Sequence, residues 1–357
     1  MTESLDMNPS IPVREGEELD WHALDRCLKS ELQALSGEPE ISQYPSGNSN
    51  LTYRLKYPQR DLIVRRPPFG TKARSAHSMV REFRVMSALK PLYPAVPTTL
   101  FHSADRSKIG SEFYVMERVD GELVGAGIPE HWGFDRKDTR RFCIAFWEKL
   151  IELHQVDYKR AGLADFGRPG GYISRQIEGW NGRYQGARTP DADEFSDVQQ
   201  WLTDTQPGSP TRAAIIHGDF RIDNVMVDPN DHFRIVALLD WEISALGDPL
   251  MDLGSALAFW VHADDPNFLR EFKKQASDAP GMLRREEILA LYTGRTGLHT
   301  GDFDFYLVYG YFRAAVILQQ IYYRYFHGQT RDQRFSKFGQ ITKALGEHCR
   351  SLIAAAR

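Results

Sequence analysis

The chain has 357 residues, 42% hydrophobic and 26% charged, the proportions of an ordinary globular protein with one large or two modest domains. A formal charge of -4 supplies no basic patch by itself, so nucleic acid is not an expected partner. Three cysteines, Cys27, Cys143 and Cys349, contain no CxxC pair, which argues against a disulfide framework or a zinc site and for reduced thiols in the cytoplasm.

Residues 1–17 are polar and acidic, with no basic or apolar leader segment, and read as disordered rather than as a signal peptide. Asp20 is placed to cap a helix with Leu24, Leu28 and Leu32 or Leu35 on one face. Residues 41–44 and 51–55 read as strands flanking the Gly/Ser/Asn turn at Ser46, Gly47, Asn48, Ser49 and Asn50, and 62–65 as a third strand. A helix from Ser75 to Leu89 carries Met79, Phe83 and Met86 on one side and is closed by Pro91. Strands follow near 98–102 and 112–117. Beyond Asp120 and Gly121 the pattern turns helical: 136–156, 250–261, 285–292, 306–326 and 334–355. Segment 306–326 contains Arg313 and Arg324 and is too polar to span a bilayer, so no membrane partner is expected. The order of elements predicts a two-lobed α+β protein, with a small antiparallel-sheet lobe at 18–119 and a mainly helical lobe at 120–357.

Within the second lobe, an apolar run at 213–216 reads as a buried strand that delivers His217, Gly218, Asp219, Phe220, Arg221, Ile222, Asp223 and Asn224. Strands at 225–227 and 233–239 flank the turn formed by Asp228, Pro229, Asn230 and Asp231, and the second strand delivers Asp240. Asn224 stands five residues after Asp219, and Asp240 stands 21 after it. An acid, an amide and a second acid in that order suit phosphoryl transfer. The first acid takes the proton of the attacking hydroxyl, and the other two are hard oxygen ligands for Mg²⁺. No GxxxxGK[ST] occurs, so the chain is not a P-loop NTPase.

The motifs HGDFRIDNVMV, LLDWE and GDPLMDLG, between residues 217 and 254, resemble the aminoglycoside phosphotransferase-like family of small-molecule kinases, which share the protein-kinase fold. Together with VRRPP and REFRV, they look most like the branch fused in some relatives to acyl-CoA dehydrogenase domains. No such domain is expected within these 357 residues.

The resemblance implies ATP and Mg²⁺ as cofactors and a small-molecule hydroxyl as acceptor. It implies Asp219 as base, Arg221 as a cation reaching the transferred phosphate, and Asn224 and Asp240 as metal ligands. Gly47, Asn48, Ser49 and Asn50 would cover the nucleotide phosphates. Met116, Glu117 and Val119 would form the hinge that receives the adenine edge. Related kinases place a lysine on the third strand, paired with a glutamate on the next helix; here Arg65 and Glu82 take those places, with Arg66 expected to face solvent. Asp248 and Asp252 are expected to be structural, Asp252 by bracing the catalytic loop. So are His154 and His217, as buried histidines.

Only residues 241–247 separate Asp240 from Asp248, too short a stretch for the platform on which protein kinases hold a peptide. The acceptor site is expected around 172–184, Asp264, Asp265 and the 306–326 helix. Arg175, Arg183 and Arg188, near Trp180 and Tyr184, together with Arg313 on the aromatic-rich 306–326 helix, favour a hydroxylated acid or acyl thioester. Asp264 and Asp265 would instead suit a polycation such as an aminoglycoside. Replacement of the usual lysine by Arg65 keeps a third reading open, a catalytically inactive nucleotide-binding module.

Overall fold

The computed structural model describes residues 9–33, 35–45, 50–69, 79–208, 212–301 and 303–356. In chain order these begin with α1 (Trp21–Glu31), β1 (Glu40–Gln43), β2 (Leu51–Lys56), β3 (Asp61–Arg66), α2 (Met79–Leu89), β4 (Thr99–Ser103), β5 (Phe113–Glu117) and β6 (Glu122–Leu123). There follow α3 (Arg136–Gln155), α4 (Tyr172–Gly186), α5 (Ser196–Thr205), β7 (Ala214–Ile216), β8 (Val225–Asp228), β9 (Asp231–Leu238) and β10 (Ala245–Gly247). The remaining helices are α6 (Pro249–Ala258), α7 (Asn267–Phe272), α8 (Arg285–Thr296), α9 (Asp304–Phe326) and α10 (Phe338–Ala355). The chain divides into two compact units, one of Met1–Val124, Lys159–Leu163 and Asn224–Ser244, the other of Gly125–Tyr158, Ala164–Asp223 and Ala245–Arg357.

The first unit is built on an antiparallel sheet of order β1-β2-β3-β5-β4. The Asp20 carboxylate accepts the Ala23 N–H at 2.9 Å and starts α1. The helix then presses Leu24 and Leu28, one turn apart, onto Tyr53, Leu55, Leu62, Val64, Phe113 and Val115 of the sheet. Alternation along β3 sends Arg65 to the opposite face, where it meets Glu82 of α2. Both faces of the sheet are thus covered, and Arg66 is buried at 3% exposure instead of facing solvent. Its guanidinium lies 3.9 Å from the centre of the Phe69 ring and donates to Ile109 O. Residues 9–17, within the stretch expected to be disordered, are tied to the sheet: Ile11 bridges to Gln43, Arg14 N–H donates to the Gln43 side chain, and Glu17 C=O accepts from Tyr53. The unpaired edge of β1 gives this segment its partner.

Residues Asn224–Ser244, which the sequence reading gave to the helical lobe, pack with this first unit. Strands β8 and β9 pair with each other, β6 pairs with β8, and Leu238 N–H donates to Ala95 O at 2.7 Å. Trp241, fully buried, donates its indole N–H to Leu238 O and meets Tyr93 edge to face.

The second unit is helical apart from the β7–β10 pair. Asp135 and Asp138 form a reciprocal capping box at the start of α3, which buries Phe142, Phe146, Leu150 and Leu153 as its spacing predicts. Phe146 stacks on Phe220 with centroids 4.3 Å apart, anchoring the segment after β7. Helices α6 and α9 cross where Gly254 and Gly310 meet. A Cβ at Gly254 would strike Tyr306 O, and one at Gly310 would strike Gly254 O, so only glycine permits the approach. Helices α4 and α5 carry glycines or short apolar spacings and were not legible as helices; Ile173, Ile177 and Tyr184 of α4 and Val198 and Leu202 of α5 are buried.

Candidate active site

The loop after β7 is fixed from its backbone. Asp252, on the first turn of α6, accepts the N–H groups of His217 and Gly218, each at 2.8 Å, one on each carboxylate oxygen. His154 Nε2 lies 3.1 Å from the same carboxylate, and its Nδ1 lies 2.7 Å from the Tyr292 hydroxyl. Burial pushes the Asp252 carboxyl up, but His154, His217 and the His217 N–H outweigh it and hold the group below its ordinary value. Gly218 has φ 85, a left-handed conformation that a Cβ disfavours. Its carbonyl accepts from Arg313 of α9 at 2.7 Å, a contact the sequence reading did not specify. Farther along, Ile222 N–H donates to Gln275 Oε1 at 2.9 Å, again unforeseen. Asp219 therefore projects from a loop held on both sides. Arg221, expected to reach a phosphate, is paired with both carboxylate oxygens of Asp223.

In the first unit, Arg65, Glu82 and Asp240 come together. The Arg65 guanidinium pairs with Glu82, lies 3.4 Å from Asp240 Oδ1 and also donates to the Tyr114 hydroxyl. Burial opposes charge on both members of the Arg65–Glu82 pair. It pushes the Glu82 carboxyl up against the pull of Arg65. At Arg65, Glu82, Tyr114 and Asp240 outweigh burial and hold the guanidinium charged. Asp240 has φ 67 and ψ 60, one of two non-glycine residues with positive φ among those described. A non-glycine residue in that region costs on the order of 1 kcal/mol and persists where its surroundings fix it, commonly at functional sites.

Asn50 is buried and donates from Nδ2 to Glu242 at 3.0 Å, which ties the start of β2 to the segment after Asp240. Gly47, Asn48 and Ser49 lie outside the described residues. Asn224 directly precedes β8, and its carbonyl accepts Leu239 N–H at 2.7 Å. At the hinge stretch, Met116 is buried, Glu117 N–H donates to Thr98 O, and Arg118 N–H donates to Asp61 O. The Glu117 side chain is held by Arg60.

The residues fit a nucleotide and a divalent cation. Among the described residues, Arg65 Nε is a buried donor without an acceptor, suited to a phosphate oxygen, and Asn50 Oδ1 is a buried acceptor without a donor. Asn224 and Asp240 offer the hard oxygens that Mg²⁺ prefers.

The acceptor expectations divide. Asp264 and Asp265 are each neutralised by an arginine, Arg284 and Arg285, the second pair through two hydrogen bonds. Arg175 donates to the carbonyls of Arg168 and Gly170, and Arg188 pairs with Glu194 at 3.8 Å. Among the described residues no helix is long and apolar enough to cross a membrane.

A buried cation–glutamate pair on β3 and α2, a strained acid after β9 and a braced His-Gly-Asp loop define a kinase-type phosphotransferase. Residues 40–288 match the phosphotransferase enzyme family, and the chain belongs to that family. It is 35% identical over 94% of its length to mouse acyl-CoA dehydrogenase family member 10, and 33% identical over 94% to chicken acyl-CoA dehydrogenase family member 11. It spans 31% and 44% of those two relatives' own lengths. The crystal structure of a putative aminoglycoside phosphotransferase from Ralstonia eutropha superposes with a TM-score of 0.81 at 30% identity, covering 95% of this chain and 100% of the other. A choline kinase from Cryptosporidium parvum shares the fold at a TM-score of 0.61 and 11% identity, covering 94% of this chain and 96% of that one.

Proposed function

We propose that the protein transfers the γ-phosphate of ATP to a hydroxyl group of a small molecule, in the cytoplasm. The observation that carries this reading is the Arg65–Glu82–Asp240 contact, because it joins a fixed cation, its partner acid and a metal-type acid at the three places the kinase pattern requires. Arg65 neutralises phosphate oxygens, with Glu82 holding the guanidinium in place. Asn50 and the preceding Gly47, Asn48 and Ser49 cover the phosphates, and Glu117 C=O and Val119 N–H receive the adenine edge. Asn224 and Asp240 hold Mg²⁺, which when bound neutralises phosphate charge. Asp219 orients the acceptor hydroxyl and receives its proton. An oxygen–phosphorus bond forms to the acceptor, the bridging bond to ADP breaks, and Arg221 offsets charge on the group in transit.

The paired state of Asp264 and Asp265 weighs against a polycationic aminoglycoside as acceptor. An acid or acyl thioester bearing a hydroxyl is the better match. The test is ATP consumption and phosphorylated product against a panel of hydroxyl compounds, with Asp219→Ala as control. Consumption with aminoglycosides alone would overturn the acceptor class. Nucleotide binding without turnover against any acceptor would leave the inactive nucleotide-binding module.

A further inference from the structure

Two arginines of the second unit share one indole. Arg183 of α4 places its guanidinium carbon 4.5 Å from the centre of the Trp180 ring, and Arg313 of α9 places its own at 5.4 Å. Arg313 is only 8% exposed, yet its one hydrogen bond among the described residues is the contact with Gly218 O. Among the described residues no carboxylate forms an ion pair with Arg183 or Arg313, whereas Arg285 and Arg350 of the same unit are each held by aspartates. Trp180 Nε1 is buried, and its polar neighbour is the hydroxyl of Tyr309 on α9.

Bringing two cations to one ring opposes folding through their repulsion, and burying one adds a desolvation cost. The indole face offsets part of this, but it leaves most of the N–H groups of the buried Arg313 guanidinium unmatched. The missing component is an acceptor of negative charge. Its place is also set, because Arg313 holds the carbonyl of the residue immediately before Asp219.

We propose that Trp180, Arg183 and Arg313 form an oxyanion subsite for the phosphate acceptor, so that the acceptor carries a carboxylate or phosphate ester in addition to the hydroxyl it presents to Asp219. This rests on the phosphotransferase reading for the role of the bound molecule, but not for the binding itself. Arginine suits the task, since its planar fork donates two parallel hydrogen bonds to an oxyanion.

The experiment is an equilibrium titration of the full chain, without nucleotide, with β-hydroxybutyrate, its primary amide and glycerol phosphate, read by calorimetry. At least one of the two anions should bind about tenfold or more tightly than the neutral amide, as expected for a charge-assisted pair. The tighter of the two identifies the anion. Arg183→Gln, at an exposed position, should lower that affinity by about tenfold and narrow the gap to the amide. Arg313→Gln should do the same, with circular dichroism reporting whether this buried change keeps the fold. The subsite is overturned if no anion binds, if the amide binds as well as the anions, or if Arg183→Gln binds the anion as tightly as the unaltered protein. Anion binding with no phosphate transfer to any acceptor would instead keep the subsite and remove the kinase reading.

Discussion

Gly218 is suspended between two side chains, and the one that accepts its N–H, at 2.8 Å, is Asp252. The second oxygen of that carboxylate takes the His217 N–H and lies against His154. A carboxylate with three donors around it is a framework element: it fixes the loop that carries Asp219 without touching a substrate.

Asp252→Ala leaves the buried His217 N–H, the half-buried Gly218 N–H and one nitrogen of the buried His154 unmatched, and should lower stability by about 3 kcal/mol or more. Asp252→Asn keeps one acceptor oxygen and should lower it by about 1–3 kcal/mol. The pH dependence has a definite sign. The folded carboxyl sits below its ordinary value, so its contribution is present above the unfolded pKa of about 4 and disappears as pH falls through the lower folded value. Urea midpoints measured from neutral pH down to about pH 3 should therefore fall more steeply for the unaltered protein than for Asp252→Asn.

The Arg65–Glu82 pair should behave as one unit. Either Arg65→Ala or Glu82→Ala strands a buried charge and should destabilise by about 3–5 kcal/mol. Removing both strands neither, so the double variant should lose clearly less than the sum of the two. Chemical denaturation of the four proteins measures the coupling, and strict additivity would contradict the pairing seen here.

Most elements of the first unit were legible from local pattern. Alternation marked β2 and β3, and the Leu24 and Leu28 spacing marked α1. Alternation misled at Arg66, because it assumes one wet face and this sheet is covered on both. Assignment of Asn224–Ser244 to the first unit depends on β6 pairing with β8, about a hundred residues away. No local signal carries such a pairing. The same limit hid the contact of Arg313 with Gly218, 95 residues away, although Arg313 itself was singled out for the acceptor site. The Asp252 brace, 35 residues from the His217 N–H it holds, was foreseen only because GDPLMDLG resembles the family's second acidic motif.

Under the proposed function, Asp219→Asn should lower kcat by about 100- to 10,000-fold, the range lost with a positioned general base. Nucleotide affinity should stay within about threefold, since the change leaves the Arg65 contact untouched. Steady-state turnover alongside nucleotide titration checks both. Unchanged turnover would show that Asp219 does not receive the proton.

Asp240 separates binding chemistry from folding. Asparagine tolerates the left-handed conformation that Asp240 adopts, and the Asp240–Arg65 contact is a long one at 3.4 Å with the acid one-third exposed. Asp240→Asn should therefore change stability by less than about 1 kcal/mol. The same change replaces a charged Mg²⁺ ligand by a neutral one. If Asp240 holds the metal, chelation should stop turnover in the unaltered protein and added Mg²⁺ should restore it. The variant should need about tenfold more Mg²⁺ for half-maximal rate, the scale on which loss of one metal contact weakens a site. Calorimetric titration of Mg²⁺ into the nucleotide-loaded protein gives the same comparison without turnover. Equal Mg²⁺ affinity in the two proteins would place the metal elsewhere, whatever the rate of the variant.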